Sequence, residues 1–131
     1  MTAPTEKCSS HDRKGRMEKA RQFSIATSLL DQFVDDDRDL GDAYVTRCVH
    51  AGIAAADVLC CARLGVHASG QDHAAAAALL DRVNTELGKD LRRLLGLKTK
   101  AGYGATRSGP ADRKSAGRAA SRLVDAASTI G

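Results

Sequence analysis

Small and aliphatic residues are densest at residues 40–64, and the pattern on either side is best read outward from there. Between positions 43 and 64 the strongly polar side chains are Thr46, Arg47, His50, Asp57 and Arg63, so nearly the whole circumference of a helix here needs covering by neighbours. Such a helix runs roughly 37 Å at 1.5 Å per residue. Arg47, His50 and Asp57 fall in one stripe about 80° wide, with Ala54 and Cys61 filling its gaps. That stripe faces water, a partner or a site, and the rest faces other helices.

Upstream, Met17, Ala20, Phe23, Ala26, Thr27, Leu30, Phe33 and Val34 recur every three or four positions, which predicts a first helix over residues 13 to about 36. Basic residues crowd its start and aspartates its end, an arrangement that opposes the helix dipole and frays the first turn. Asp35, Asp36 and Asp37 then make a turn, and Asp39 caps the central helix. Gly65 ends that helix, a loop occupies residues 67–71, and Asp72 caps a third helix over residues 73 to about 84. After a kink or break at residues 85–88, Leu91, Leu94, Leu95 and Leu97 mark a short amphipathic helix at residues 89–97. The glycines and Pro110 make residues 98–110 irregular. Pro110 suits the first turn of a last helix to about residue 129, with Ala116, Ala119, Ala120, Leu123, Val124, Ala127 and Ile130 facing inward. No strand pattern or internal repeat emerges. The fold expected is all-α: an up-and-down four-helix bundle with an extra short helix before the last one. Residues 13–131 form its single domain behind a flexible arm, residues 1–12.

Composition sharpens this in three places. A chain of 131 residues can close one core without staples, and with 3% aromatics and no Trp that core must be built from Leu, Val, Ile and Ala. Charge-free stretches fall far short of the roughly 18 residues of a membrane span, and the N-terminal residues lack a signal peptide's apolar region, so a cytoplasmic protein is expected. The cysteines fit that reading as reduced thiols: Cys48, Cys60 and Cys61 are apolar helix residues and Cys8 lies in the arm. Cys60 and Cys61 point about 100° apart on a helix and cannot bridge each other.

The charge balance is +4, and residues 89–107 hold Lys89, Arg92, Arg93, Lys98, Lys100 and Arg107 against Asp90, a local excess of five. With Tyr103 among glycines, this stretch has the means to grip a phosphate backbone and stack a base. On the central helix, Arg47 can hold a phosphate while His50 exchanges a proton. Asp57, set among alanines and aliphatics, needs a partner such as His50, Arg63 or a base of the 89–100 segment. His73, at a helix N-terminus, would have its pKa lowered by the dipole and act as a neutral base. Cys60, Cys61, His67 and His73 lack paired metal-ligand spacing, so neither metal nor cofactor is expected. Gly96-Leu-Lys-Thr-Lys lacks the spacing and preceding strand of a phosphate loop.

Taken in order, the Ala-rich central helix, the Gly70-Gln-Asp-His73 opening of the next, the Leu-rich piece running into Lys98-Thr-Lys-Ala-Gly-Tyr103, and the Ala-rich closing helix resemble the HEPN superfamily (higher eukaryotes and prokaryotes nucleotide-binding domains). The resemblance covers residues 22–130. In that family a Ser-His or Thr-His pair often opens the third helix, and Asp72-His73 stands at that place. A basic residue, Ala, a variable residue and Tyr often precede the last helix; Lys100-Ala101-Gly102-Tyr103 matches, with Gly102 where Asp or His is usual. The resemblance implies a bundle that forms a homodimer, binds RNA or nucleotide, and in many members cuts RNA without metal. Its implied setting is a toxin–antitoxin or phage-defence system with a cognate protein partner. The cutting members carry Arg, four to six residues, then His. Here two residues separate Arg47 from His50, three separate Arg63 from His67, and nine separate Arg63 from His73.

The expectation is therefore an RNA- or nucleotide-associated module with a degenerate or atypical site. Arg47, His50 and His73 are the catalytic candidates, and Asp57, Arg92, Arg93, Lys98, Lys100 and Tyr103 the substrate-binding ones. The alternatives are a metal-independent ribonuclease with an unusual Arg/His layout and a non-catalytic dimerisation or partner-binding bundle.

Overall fold

The computed structural model describes residues 4–32, 40–69 and 72–130. The apolar run at the middle of the chain is one helix, α2 (Gly41–Leu64), ended as expected by Gly65 in the left-handed conformation at φ 73°. Its N-terminal neighbour Leu40 makes no side-chain cap, and the expected cap Asp39 lies outside the described residues, with the Asp35–Asp37 turn. Around α2 stand α1 (Ser10–Asp31), α3 (His73–Asp81), α4 (Thr85–Tyr103) and α5 (Pro110–Ile130), with two short strands, β1 (Thr5–Lys7) and β2 (Val66–Ala68). The expected all-α bundle is what forms.

α2 packs against α1, α4 and α5, and its Val45, Val49, Val58 and Leu59 meet Leu91, Leu94 and Leu123 in a core exposed by 2% or less at each position. Each such aliphatic side chain contributes on the order of 1.5–3 kcal/mol by burial. Gly52 lets α4 approach this closely, because a Cβ there would overlap the buried Leu94 side chain. By length and composition α2 also passes for a membrane span, although its charge-free stretches are short. In the bundle, 67% of its most apolar window is buried by the rest of the chain, as in a core helix.

Four expectations are corrected. α1 begins at Ser10, three residues before the predicted start, because Ser9 and Asp12 form a capping box: the Ser9 hydroxyl accepts from the Asp12 N–H and the Asp12 carboxylate accepts from the Ser9 N–H. Its described end is Asp31; the predicted end at Asp36 lies outside the described residues. Residues 5–7 and 66–68, read as arm and loop, pair antiparallel with Glu6 opposite His67. Cys8 and Cys61, read as free thiols, are disulfide-bonded with their Cα atoms 5.5 Å apart, which ties the start of the chain to the end of α2; Cys48 and Cys60 remain free and buried.

The fourth correction concerns the helix before the last. α3 stops at Asp81, and Asn84, placed by the sequence at the end of that helix, instead caps α4 by accepting from the Leu87 N–H. α4 is then 19 residues long and runs through Tyr103, so the short helix is α3, and residues 98–103 are helical where irregular chain was expected. Side-chain ties outweigh the helix-weakening effect of Gly96 and Gly102: Lys98 bonds His73, Lys100 pairs with Asp112 at 2.8 Å, and Leu97 and Ala101 pack on the core. α5 begins at Pro110 as predicted.

Candidate functional site

The polar stripe of α2 is real, and each of its members is answered by a side chain from another element. Arg47 is exposed and His50 half-buried one turn on. From α1, Phe23 stacks on the His50 ring, centroids 5.1 Å apart and planes inclined by 28°, while the Arg47 guanidinium carbon lies 5.9 Å from the Phe23 centroid. That distance is within cation–π range. Burial lowers the pKa of His50, and the positive charges of Arg47 and Lys98 lower it further. The ring is therefore held as a neutral imidazole.

Lys98 links this group to α3. Its ammonium donates to His73 Nε2 at 2.6 Å, which requires that nitrogen to be the unprotonated one. The His73 pKa is lowered, as the sequence predicted, but by burial first and Lys98 second, with Asp72 opposing. One cation from α4 thus faces two neutral imidazoles. This arrangement pairs a proton acceptor with a charge able to stabilise a nearby phosphate oxyanion.

Further along the stripe, Asp57 and His73 line one crevice with Ile53, Ala56 and Cys60, but its volume is about 20 Å³. That is room for a single water. Asp57 is pushed up by burial and pulled back by Arg16 and His67. Its partner is Arg16 of α1, whose Nη1 donates to the carboxylate at 2.9 Å, rather than His50, Arg63 or a base of residues 89–100. The Arg16 Nη2 meets His67 Nε2 at 3.0 Å, and His67 Nδ1 lies 2.9 Å from the Ala68 carbonyl. Donation from Nδ1 leaves Nε2 to accept from Arg16. Glu6 of β1 approaches the same His67 at 3.7 Å. Arg16 and His67 were therefore missed as site neighbours; Arg16 lies 41 residues before its partner, in a turn expected to fray.

The remaining candidates do not converge here. Tyr103 is 86% exposed at the end of α4. Arg92 makes a two-pronged pair with Asp81, Lys100 pairs with Asp112, and Lys89 with Glu86, so at least three of the six cations between positions 89 and 107 are neutralised locally. Arg93 is exposed on α4. The paper set of zinc ligands also loses Cys61 to Cys8, and among the described residues no three His, Cys, Asp or Glu side chains are grouped for a metal ion.

What the fold assembles, then, is a strip of Phe23, Arg47, His50, Lys98 and His73 drawn from four helices, anchored at one end by the Arg16–Asp57–His67 cluster. No protein-family model, curated protein or solved structure matches the chain.

Proposed function

We propose that the protein is a HEPN-like bundle that associates with RNA or a nucleotide through the Phe23–His73 strip. The observation that carries this reading is Lys98, which bonds His73 and faces His50 with its charge while Arg47 and Phe23 stand alongside. A phosphate between Arg47 and Lys98 meets two cations, and Phe23 offers its ring to a base. Neutral His50 is then the ring free of that bond to accept a 2′-hydroxyl proton, with His73 Nε2 held by Lys98, so metal-independent cleavage is the catalytic form of this reading.

Exposed Ile25 (61%) and Leu29 (54%), one turn apart on α1, favour a second role as a contact surface. The homodimer or cognate partner implied by the HEPN resemblance would cover them. Cytoplasmic residence and a toxin–antitoxin or defence setting accompany the same reading. The Cys8–Cys61 bond weighs against the cytoplasm, since protein disulfides persist mainly in oxidising compartments.

Titration of a fluorescent single-stranded RNA at several salt concentrations tests the binding. The affinity should fall with a log–log slope of about −0.7 per phosphate contact, and Arg47→Ala with Lys98→Ala should flatten that slope by one to two contacts. Binding that is indifferent to both substitutions overturns the assignment. Incubation of the labelled RNA with chelator separates the two forms: cleavage lost in His50→Ala or His73→Ala marks a ribonuclease, and intact RNA marks a binding module.

A further inference from the structure

The disulfide joins two parts of the molecule that pack very differently. Cys61, near the end of α2, is 7% exposed, whereas Cys8 is half-buried and follows a strand whose side chains, Thr5, Glu6 and Lys7, are all exposed. No residue of β1 enters the hydrophobic core, which the five helices fill among themselves. Residues 4–8 are therefore held by backbone pairing and one covalent bond. The Cys8 N–H donates to the Gly65 carbonyl at 3.0 Å, the Ser69 N–H donates to the Pro4 carbonyl at 3.1 Å, and between them β1 pairs with β2. Two paired strands with so little apolar surface to bury are marginal in water, so the disulfide decides whether the pairing persists.

Release of this strap has a natural limit and a defined result. α1 starts on a capping box that Ser9 and Asp12 complete between themselves, and its Met17 and Ala20 are buried in the core, so α1 stands without help from β1. The chain can swing away at Cys8 while α1 stays docked. In leaving, it takes Pro4 and Thr5 from one side of a cavity of about 250 Å³, whose other side includes Val66, Ala68 and Leu79, and it bares the edge of β2. It also takes Glu6 from His67, 3.7 Å away, the residue that shares Arg16 with Asp57. The two remaining thiols compete poorly for Cys8. Cys48 and Cys60 are buried, and burial pushes their pKa values up to about 11 and about 12, which keeps them protonated and slow to exchange.

We propose that the Cys8–Cys61 bond is a redox latch: oxidised, it holds residues 4–8 against β2, and reduced, it frees them while the helical bundle stays folded. The reductant is a dithiol, or two equivalents of a monothiol such as glutathione. Its thiolate attacks the Cys8 sulfur, the more accessible of the two; the S–S bond breaks, and the Cys61 sulfur leaves with the electron pair and takes up a proton. A second thiolate displaces Cys8 from the mixed disulfide, so the reductant ends as a disulfide and both protein cysteines end as thiols. The reverse exchange, with oxidised glutathione as the oxidant, closes the latch. A thiol-rich compartment thus holds the strap open and an oxidising one holds it shut. A staple of the fold would tie core to core; this bond ties the bundle to a segment outside its core.

Amide hydrogen exchange read by mass spectrometry on the full chain, with and without dithiothreitol, tests this, with iodoacetamide labelling of Cys8 confirming that the bond is open. Reduction should speed exchange by at least about tenfold at the Cys8 and Ser69 amides and along the paired strands. The amides of α2, α4 and α5 should keep their protection, and the far-ultraviolet circular dichroism should be unchanged. Oxidised glutathione should restore slow exchange, and Cys8→Ser should exchange fast in either buffer. Strap amides that stay slow with the bond open overturn the proposal, because the pairing then holds itself. Protection lost across α2, α4 and α5 also overturns it, by making the bond a staple of the whole fold. Slow exchange that oxidised glutathione fails to restore does the same, since a latch must close.

Discussion

Arg16→Met is the substitution that asks most of the structure. The change keeps much of the side-chain stem and removes the charge that pairs with Asp57 at 2.9 Å. Breaking a buried pair on one side costs about 3–5 kcal/mol, whereas losing an exposed one costs about 0–1 kcal/mol. Asp57 is 17% exposed and Arg16 32%, so the loss should fall between these limits, at roughly 1.5–3 kcal/mol near neutral pH. The pH dependence has a definite sign. Burial already holds the Asp57 pKa above its ordinary value, and Arg16 is the first influence pulling it back. Without Arg16 it rises further. A carboxyl with a raised folded pKa favours the fold when protonated, below its unfolded pKa, and that contribution is lost as pH rises through the folded value. The deficit of the variant should therefore be largest near pH 7 and shrink toward about pH 4. Urea denaturation followed by far-ultraviolet circular dichroism at both pH values measures it. Adding Asp57→Asn should restore most of the loss at neutral pH. A deficit that is the same at both pH values, or that the second substitution leaves untouched, would show that Arg16 acts through packing or His67 and refute the electrostatic account.

Three further outcomes follow from the same packing and charge arrangement. Lys98→Ala should raise the pKa values of both His50 and His73 in an NMR titration, since Lys98 depresses both; with histidine pKa values held below their ordinary range, acidification through that range should destabilise the wild type more than the variant. Gly52→Ala should lower stability by about 1–3 kcal/mol in a thermal melt although alanine is the better helix former by about 1 kcal/mol, because the new methyl meets buried Leu94. Cys61→Ser, opening a link that spans 53 residues of sequence, should cost about 2–4 kcal/mol, an amount that reduction of the wild type should reproduce in parallel melts.

Which parts of this molecule could be read from its sequence depends on the distance over which each is determined. α2 and α5 were legible because a 3.6-residue period and two local signals, Gly65 and Pro110, define them. The start of α1 was equally local, as Ser9 and Asp12 have capping-box spacing, but the charge pattern opposing the dipole favours a later, frayed start and the cap outweighs it. The length of α4 was not legible, since its last turn is held by His73 and Asp112, residues far along the chain. The strands are three residues each, too short for an alternating pattern, and exist by pairing with each other. At the site, the Arg47, His50 and Asp57 stripe followed from helix geometry alone. Its completion by Phe23, Lys98 and Arg16 depends on which helices become neighbours, and no spacing rule supplies that.

The order in which α2 acquires its cover has a consequence for the growing chain. α1 precedes it, but α4 and α5, which shield much of its apolar flank, are synthesised after it. For that interval a segment greasy enough to be taken for a bilayer-crossing rod is partly bare as it leaves the ribosome. Arrest of translation ahead of α5 should thus yield a nascent chain that draws chaperones or insertion machinery, and completing the last helix should release it.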